Sequence, residues 1–132
     1  MALTTDIWAV TPSFSATLYR AAAAIAGAGD ITLITNQPLD NGAGYQILFT
    51  CAGDATAATF TITGYVAGDL SQSVTTETVA GVDSGTATST NYYSRITSIS
   101  SDAAVATNVS IGNAIADGMA LPRTRMKGFY FV

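Results

Sequence analysis

The run TFTITGYVAGDLSQSVTTETVAG, residues 59–81, decides how the rest of the chain reads. Phe60, Ile62 and Val66 share one parity, and Thr59, Thr61, Thr63 and Tyr65 share the other. That period of two belongs to a strand with one buried face. SVTTETVAG then reads as its antiparallel neighbour. The connection is too long for a two-residue hairpin turn and is expected to bend at Gly68-Asp69. Threonine on the outer face keeps the pleat by its β-branch without adding charge.

The same economy of charge runs through all 132 residues. Apolar residues make up 48% and charged residues 11%, less than half the roughly 25% of an average soluble domain. Such a surface does little to repel neighbours, which suits a protein packed against copies of itself or against other subunits. The formal charge of −4, with only five basic residues, argues against a nucleic-acid partner. No run approaches the roughly 18 apolar residues of a membrane span, so no membrane partner is expected. The opening MALTTDIWAVTPSF lacks the charged start and apolar core of a secretion signal, which predicts synthesis in a host cytoplasm.

Outward from residues 59–81 the strand grammar continues. ITLIT (31–35) is β-branched and stops at the turn-rich NQPLDNGAG. YQILFTC (45–51) is apolar almost throughout, the pattern of a strand covered on both faces. TATSTNYYSRITSIS (86–100) is a long run with Ile96 and Ile99 on opposite parity, so a bulge or bend between its halves is expected to restore a common buried face. AVATNVSIG places Ala103, Val105, Val109 and Ile111 together, and MKGFYFV is a short terminal strand. Before Asp30 the signals differ. Pro12 interrupts residues 1–15, an arm carrying Trp8 and Phe14. SATLYRAAAAIAGAG offers a Ser or Thr cap, four alanines and two terminal glycines, which predicts a short helix, with an extended segment facing a neighbouring subunit as the competing reading. The expected fold is all-β, an antiparallel β-sandwich of about seven strands, with an N-terminal arm and one short Ala-rich helix. Residues 1–29 hold the arm and helix and residues 30–132 the sandwich.

Between Ala52 and Asn113 the chain reads AGDATAATFTITG, TTETVAGVDSGTATST, NYYSRITSIS and NVSIGN, in that order. This succession resembles a β-sandwich module recurrent in structural proteins of tailed bacteriophages, and it covers about half the chain. The resemblance implies a small virion component of high copy number, best matched to capsid decoration (cement) proteins. It implies the major capsid protein as partner, binding between its subunits at the capsid surface. Self-association follows from the same resemblance, a trimer ahead of a dimer. A tail or fibre component contacting host-surface glycan is the alternative, and a carbohydrate-directed enzyme or lectin module is the reading from another class.

The residue inventory limits chemistry further. With no histidine and one cysteine, Ser-His-Asp triads, histidine metal sites and thiolate zinc sites are excluded, and Cys51 reads as a buried thiol. Seven of the nine carboxylates, Asp30, Asp40, Asp54, Asp69, Asp83, Asp102 and Asp117, stand singly and mostly beside glycine, as turn-forming residues do. A glycosidase needs two facing carboxylates, and calcium needs several oxygen ligands at loop spacing. We therefore expect no catalytic residue, metal or cofactor. Arg123, Arg125 and Lys127 alternate and share one side of an extended strand. With Trp8, Phe14, Phe129 and Phe131 they are the candidate interface residues, the cations for an acidic neighbour and the aromatics as anchors. Tyr65, Tyr92 and Tyr93 are the aromatics a glycan would need.

Overall fold

The computed structural model describes residues 15–34 and 44–114. They form β1 (Ser15–Ile25), β2 (Gly29–Asp30), β3 (Gln46–Asp54), β4 (Thr59–Val66), β5 (Val74–Ala80), β6 (Asp83–Thr88), β7 (Tyr93–Ser101) and β8 (Val105–Ala114). Two four-stranded antiparallel sheets result, in the orders β1-β8-β3-β6 and β2-β7-β4-β5. The all-β expectation holds among the described residues. One core joins the sheets: Ile47, Phe49, Cys51, Val109 and Ile111 from the first meet Phe60, Ile62, Ile96 and Ile99 from the second. At its centre Phe49 and Phe60 stack with ring centroids 4.5 Å apart.

The stretch 59–81 folds as its pattern predicts. Phe60 and Ile62 are fully buried, the threonines between them are half-buried, and β4 pairs with β5 from Thr59↔Ala80 to Tyr65↔Val74. The turn passes through Gly68, whose φ of 81° suits a residue without Cβ. In β7 the expected bulge is present. Thr63 faces Ser98 but Gly64 faces Ile96, and this slip puts both Ile96 and Ile99 in the core.

The Ala-rich helix is not formed. Residues 15–25 are strand β1, paired with β8. Alanine's preference for helix amounts to a few tenths of a kcal/mol per residue, which tertiary burial readily outweighs. Here the strand buries Tyr19 and Ile25. The Arg20 guanidinium adds bonds to the carbonyls of Ala23, Ala24 and Val109 at 2.6–2.8 Å. β1 advances five residues from Ser15 to Arg20 while β8 retreats only from Asn113 to Ile111. At this bulge Gly112 lies so close under Ser15 and Ala16 that a Cβ would collide with their backbone.

Three other expectations change. Within ITLIT the described residues 31–34 form no strand: Ile31 donates its N–H to Ile99 O (2.8 Å) and Ile34 to Tyr19 O (2.7 Å), so they tie the two sheets together. In YQILFTC only one face is buried, with Ile47, Phe49 and Cys51 inward and Leu48 and Thr50 half-exposed. The long run 86–100 breaks at Ser89–Tyr92, where the chain leaves the first sheet and enters the second. Buried Ser89 makes the switch, accepting the Ile47 N–H (2.8 Å) and donating to Asn91 O (2.8 Å). The arm to residue 14 and the strand expected of MKGFYFV lie outside the described residues.

The two ends of this unit differ. The connections β1–β2, β3–β4, β5–β6 and β7–β8 gather at one end, next to Asp54, Asp83 and the Ile25↔Val105 pair. At the other end lie Ser15, opposite Asn113, Ala114, opposite Gln46, and Tyr45, opposite Tyr93. The β4–β5 and β6–β7 connections share that second end. We call the first the turn pole and the second the terminal pole.

Candidate functional surface

The candidate interface residues Trp8, Phe14, Arg123, Arg125, Lys127, Phe129 and Phe131 all lie outside the described residues. The described chain ends at Ser15 and Ala114, both at the terminal pole.

Of the three tyrosines considered for a glycan, Tyr93 is fully buried and donates its hydroxyl to Glu77 Oε2 at 3.1 Å. Burial, with the Glu77 charge beside it, pushes that hydroxyl up to about 12. Tyr65 and Tyr92 are half-buried. Tyr65 stands on the outer face of the second sheet with the Arg95 guanidinium 6.0 Å from its ring centroid, a cross-strand cation–π contact. The row Val74–Tyr65–Arg95 thus crosses β5, β4 and β7 at the terminal pole. Beyond it the rows are hydroxylic, Thr76–Thr63–Ser98 and then Thr78–Thr61–Ser100.

Glu77 is the side chain that sequence reasoning missed. It lies opposite Ile62 on β4 and so faces inward, where its carboxylate reaches the β6–β7 connection. It accepts the Thr90 N–H, the Asn91 N–H (3.1 Å), the Asn91 side-chain amide (3.0 Å) and the Tyr93 hydroxyl. Burial works to raise its pKa, and these hydrogen bonds outweigh it, so the carboxyl is held below its usual value. A carboxylate engaged this fully is a structural clamp, not a free base. The signal was available: Glu77 shares parity with Val79, the buried residue of β5.

Two of the expected turn-forming aspartates, Asp54 and Asp69, close local turns. Asp54 accepts from the Thr56 N–H and hydroxyl at 2.9 and 2.6 Å, and Asp69 does the same for Ser71 at 2.9 and 2.7 Å. Asp102 reaches across to the Thr59 N–H at 2.6 Å. Among the described residues no three His, Cys, Asp or Glu side chains gather as a metal site. Cys51 is a buried free thiol. The arrangement offers surfaces for contact: a neutral hydroxyl face, a Tyr–Arg pair and a sheet edge at β5, to which no further strand pairs among the described residues. Compared with protein-family models, with curated proteins and with solved structures, the chain finds no match.

Proposed function

We propose that the chain is a non-enzymatic structural protein of a bacteriophage particle, a β-sandwich that decorates the capsid and binds between major capsid subunits. The observation that carries this reading is the hydroxyl face of the second sheet, Thr61, Thr63, Thr76, Thr78, Ser98 and Ser100, on a fully packed core. A neutral face of this kind packs beside neighbours with no charge to desolvate. The order of strand motifs from Ala52 to Asn113 supports the same class by its resemblance to phage modules. Stabilisation then follows from mass action. A protein that binds only the assembled lattice adds about 2.7 kcal/mol per site when present at about 100 times its Kd. Association of three copies around a local three-fold axis is the favoured arrangement, with two copies at a two-fold as the alternative. The second reading is a tail or fibre component, favoured by the half-exposed Tyr65 and Tyr92 at one pole. Heat challenge of virions lacking the protein tests the proposal. They are expected to release DNA at a lower temperature than wild type and to recover when purified protein is added back. Equal heat resistance with no rebinding contradicts it.

A further inference from the structure

We infer that β1 is an exchangeable strand: it leaves its own β8 and pairs with the β8 of a second copy of the chain. Little of β1 is committed to the core. Of its eleven residues only Tyr19 and Ile25 are buried, and the alanines at 21–24 are all exposed. It stands at the end of its sheet and pairs with β8 alone, with register shifts at three places. Local preference also opposes the conformation, since four consecutive alanines favour helix over strand. A β1 that detaches therefore uncovers little apolar surface and gives up a conformation its own residues do not favour.

The shape of the seat names the occupant. Gly112 of β8 lies so close under Ser15 and Ala16 that only a backbone bulged at that point fits over it. Val109 O accepts from the Arg20 guanidinium at 2.6 Å, and Asn113 Oδ1 accepts the Ser15 N–H at 2.8 Å. Tyr19 O takes the Ile34 N–H at 2.7 Å. A strand that satisfies all of these needs the bulge between positions 15 and 20 and an arginine at its end, which is the description of β1 in another copy. Each bond re-forms between chains, so the closed and exchanged states differ mainly in the connection to β2 and in the entropy of association. That connection is short. Residues 26–28, all exposed, cross from one sheet to the other, a gap of about 10 Å. A Cβ added at Gly27 or Gly29 would meet nothing within 4 Å, so no packing holds the arch in place. Gly29 takes a φ of 130°, which residues with a Cβ rarely adopt, and straightening the arch releases it. Reciprocal exchange closes a dimer about a two-fold axis, and exchange passed round a ring closes a trimer. It is a property of the purified chain and does not depend on the decoration reading.

Disulfide trapping tests the exchange. Ile25 and Val105 face each other across β1 and β8, and both are buried. In a full-length Cys51→Ser background, Ile25→Cys with Val105→Cys is incubated over a range of concentrations, oxidised and run unreduced on a denaturing gel. Thr63→Cys with Thr76→Cys, opposite each other in β4 and β5, is the control. The expected result is covalent dimer or trimer for the first pair, rising with concentration, and monomer throughout for the control. Monomer alone for the first pair at every concentration overturns the exchange. Equal linkage between chains in both pairs shows association without exchange and overturns it too. Light scattering of the unmodified chain and of Gly29→Ala covers the case in which the buried cysteines prevent folding. Gly29→Ala penalises the closed arch and is expected to tighten self-association at least about tenfold. An unmodified chain that stays monomeric, or an association that Gly29→Ala leaves unchanged, overturns the exchange.

Discussion

Phe60→Ala is expected to cost about 3–5 kcal/mol, a large part of the roughly 5–15 kcal/mol by which a domain of this kind is stable. The ring is fully buried and stacks on Phe49 from the facing sheet. Its removal takes away transfer energy, leaves a cavity between two sheets that close only in part, and forfeits about 0.5–1.5 kcal/mol of ring–ring contact. Thermal unfolding should show a fall in Tm of roughly 10–20 °C for a chain of this length. The comparison is Thr61→Ala on the outer face of the same strand, expected to stay within about 0.5 kcal/mol of wild type. A Phe60→Ala loss no greater than that of Thr61→Ala would mean that the two sheets are not held at this contact.

Glu77→Gln should reduce stability by about 2 kcal/mol at neutral pH, because hydrogen bonds to a charged acceptor are worth more than those to a neutral one. The amide also replaces one of the two acceptor oxygens by an NH2 group, which then faces either the Thr90 N–H or the donors of Asn91 and Tyr93. The pH dependence identifies the cause. Glu77 is held below its usual pKa in the folded protein, so folding binds its proton less well than the unfolded chain does. Its contribution is present in full above the unfolded value, about 4.3, and is lost as pH falls through the folded value. Urea unfolding of both proteins across the acid range should show a constant gap at neutral pH that closes on acidification. A gap that persists unchanged in acid would mean that the substitution acts through packing and not through the charge.

The parts of the fold legible in the sequence are those where side-chain parity and burial coincide. β4 and β5 are written in the alternation of Phe60 and Ile62 with threonine, and the bulge in β7 in the clash of parity between Ile96 and Ile99. β1 was not legible because alanine carries no amphipathic signal. Its strand conformation comes from partners distant in sequence, the β8 backbone and the carbonyls held by Arg20. The break at Ser89–Tyr92 was hidden for a similar reason. Serine and threonine suit both a strand and a turn, and only the bonds of Ser89 to Ile47 and Asn91 choose between them. The clamp at Glu77 could be located by parity, but its four donors lie 13 to 16 residues away along the chain. The exposure of Leu70 and Val74 follows from the place of β5 at the end of the strand order, which no local pattern encodes.

Quantitative mass spectrometry of purified virions tests the structural role most directly. The expected result is a copy number in fixed ratio to the major capsid protein, as a component repeated over the shell must have. A count of a few per particle would move the protein to the tail or a fibre, and its absence from virions would contradict the structural role itself.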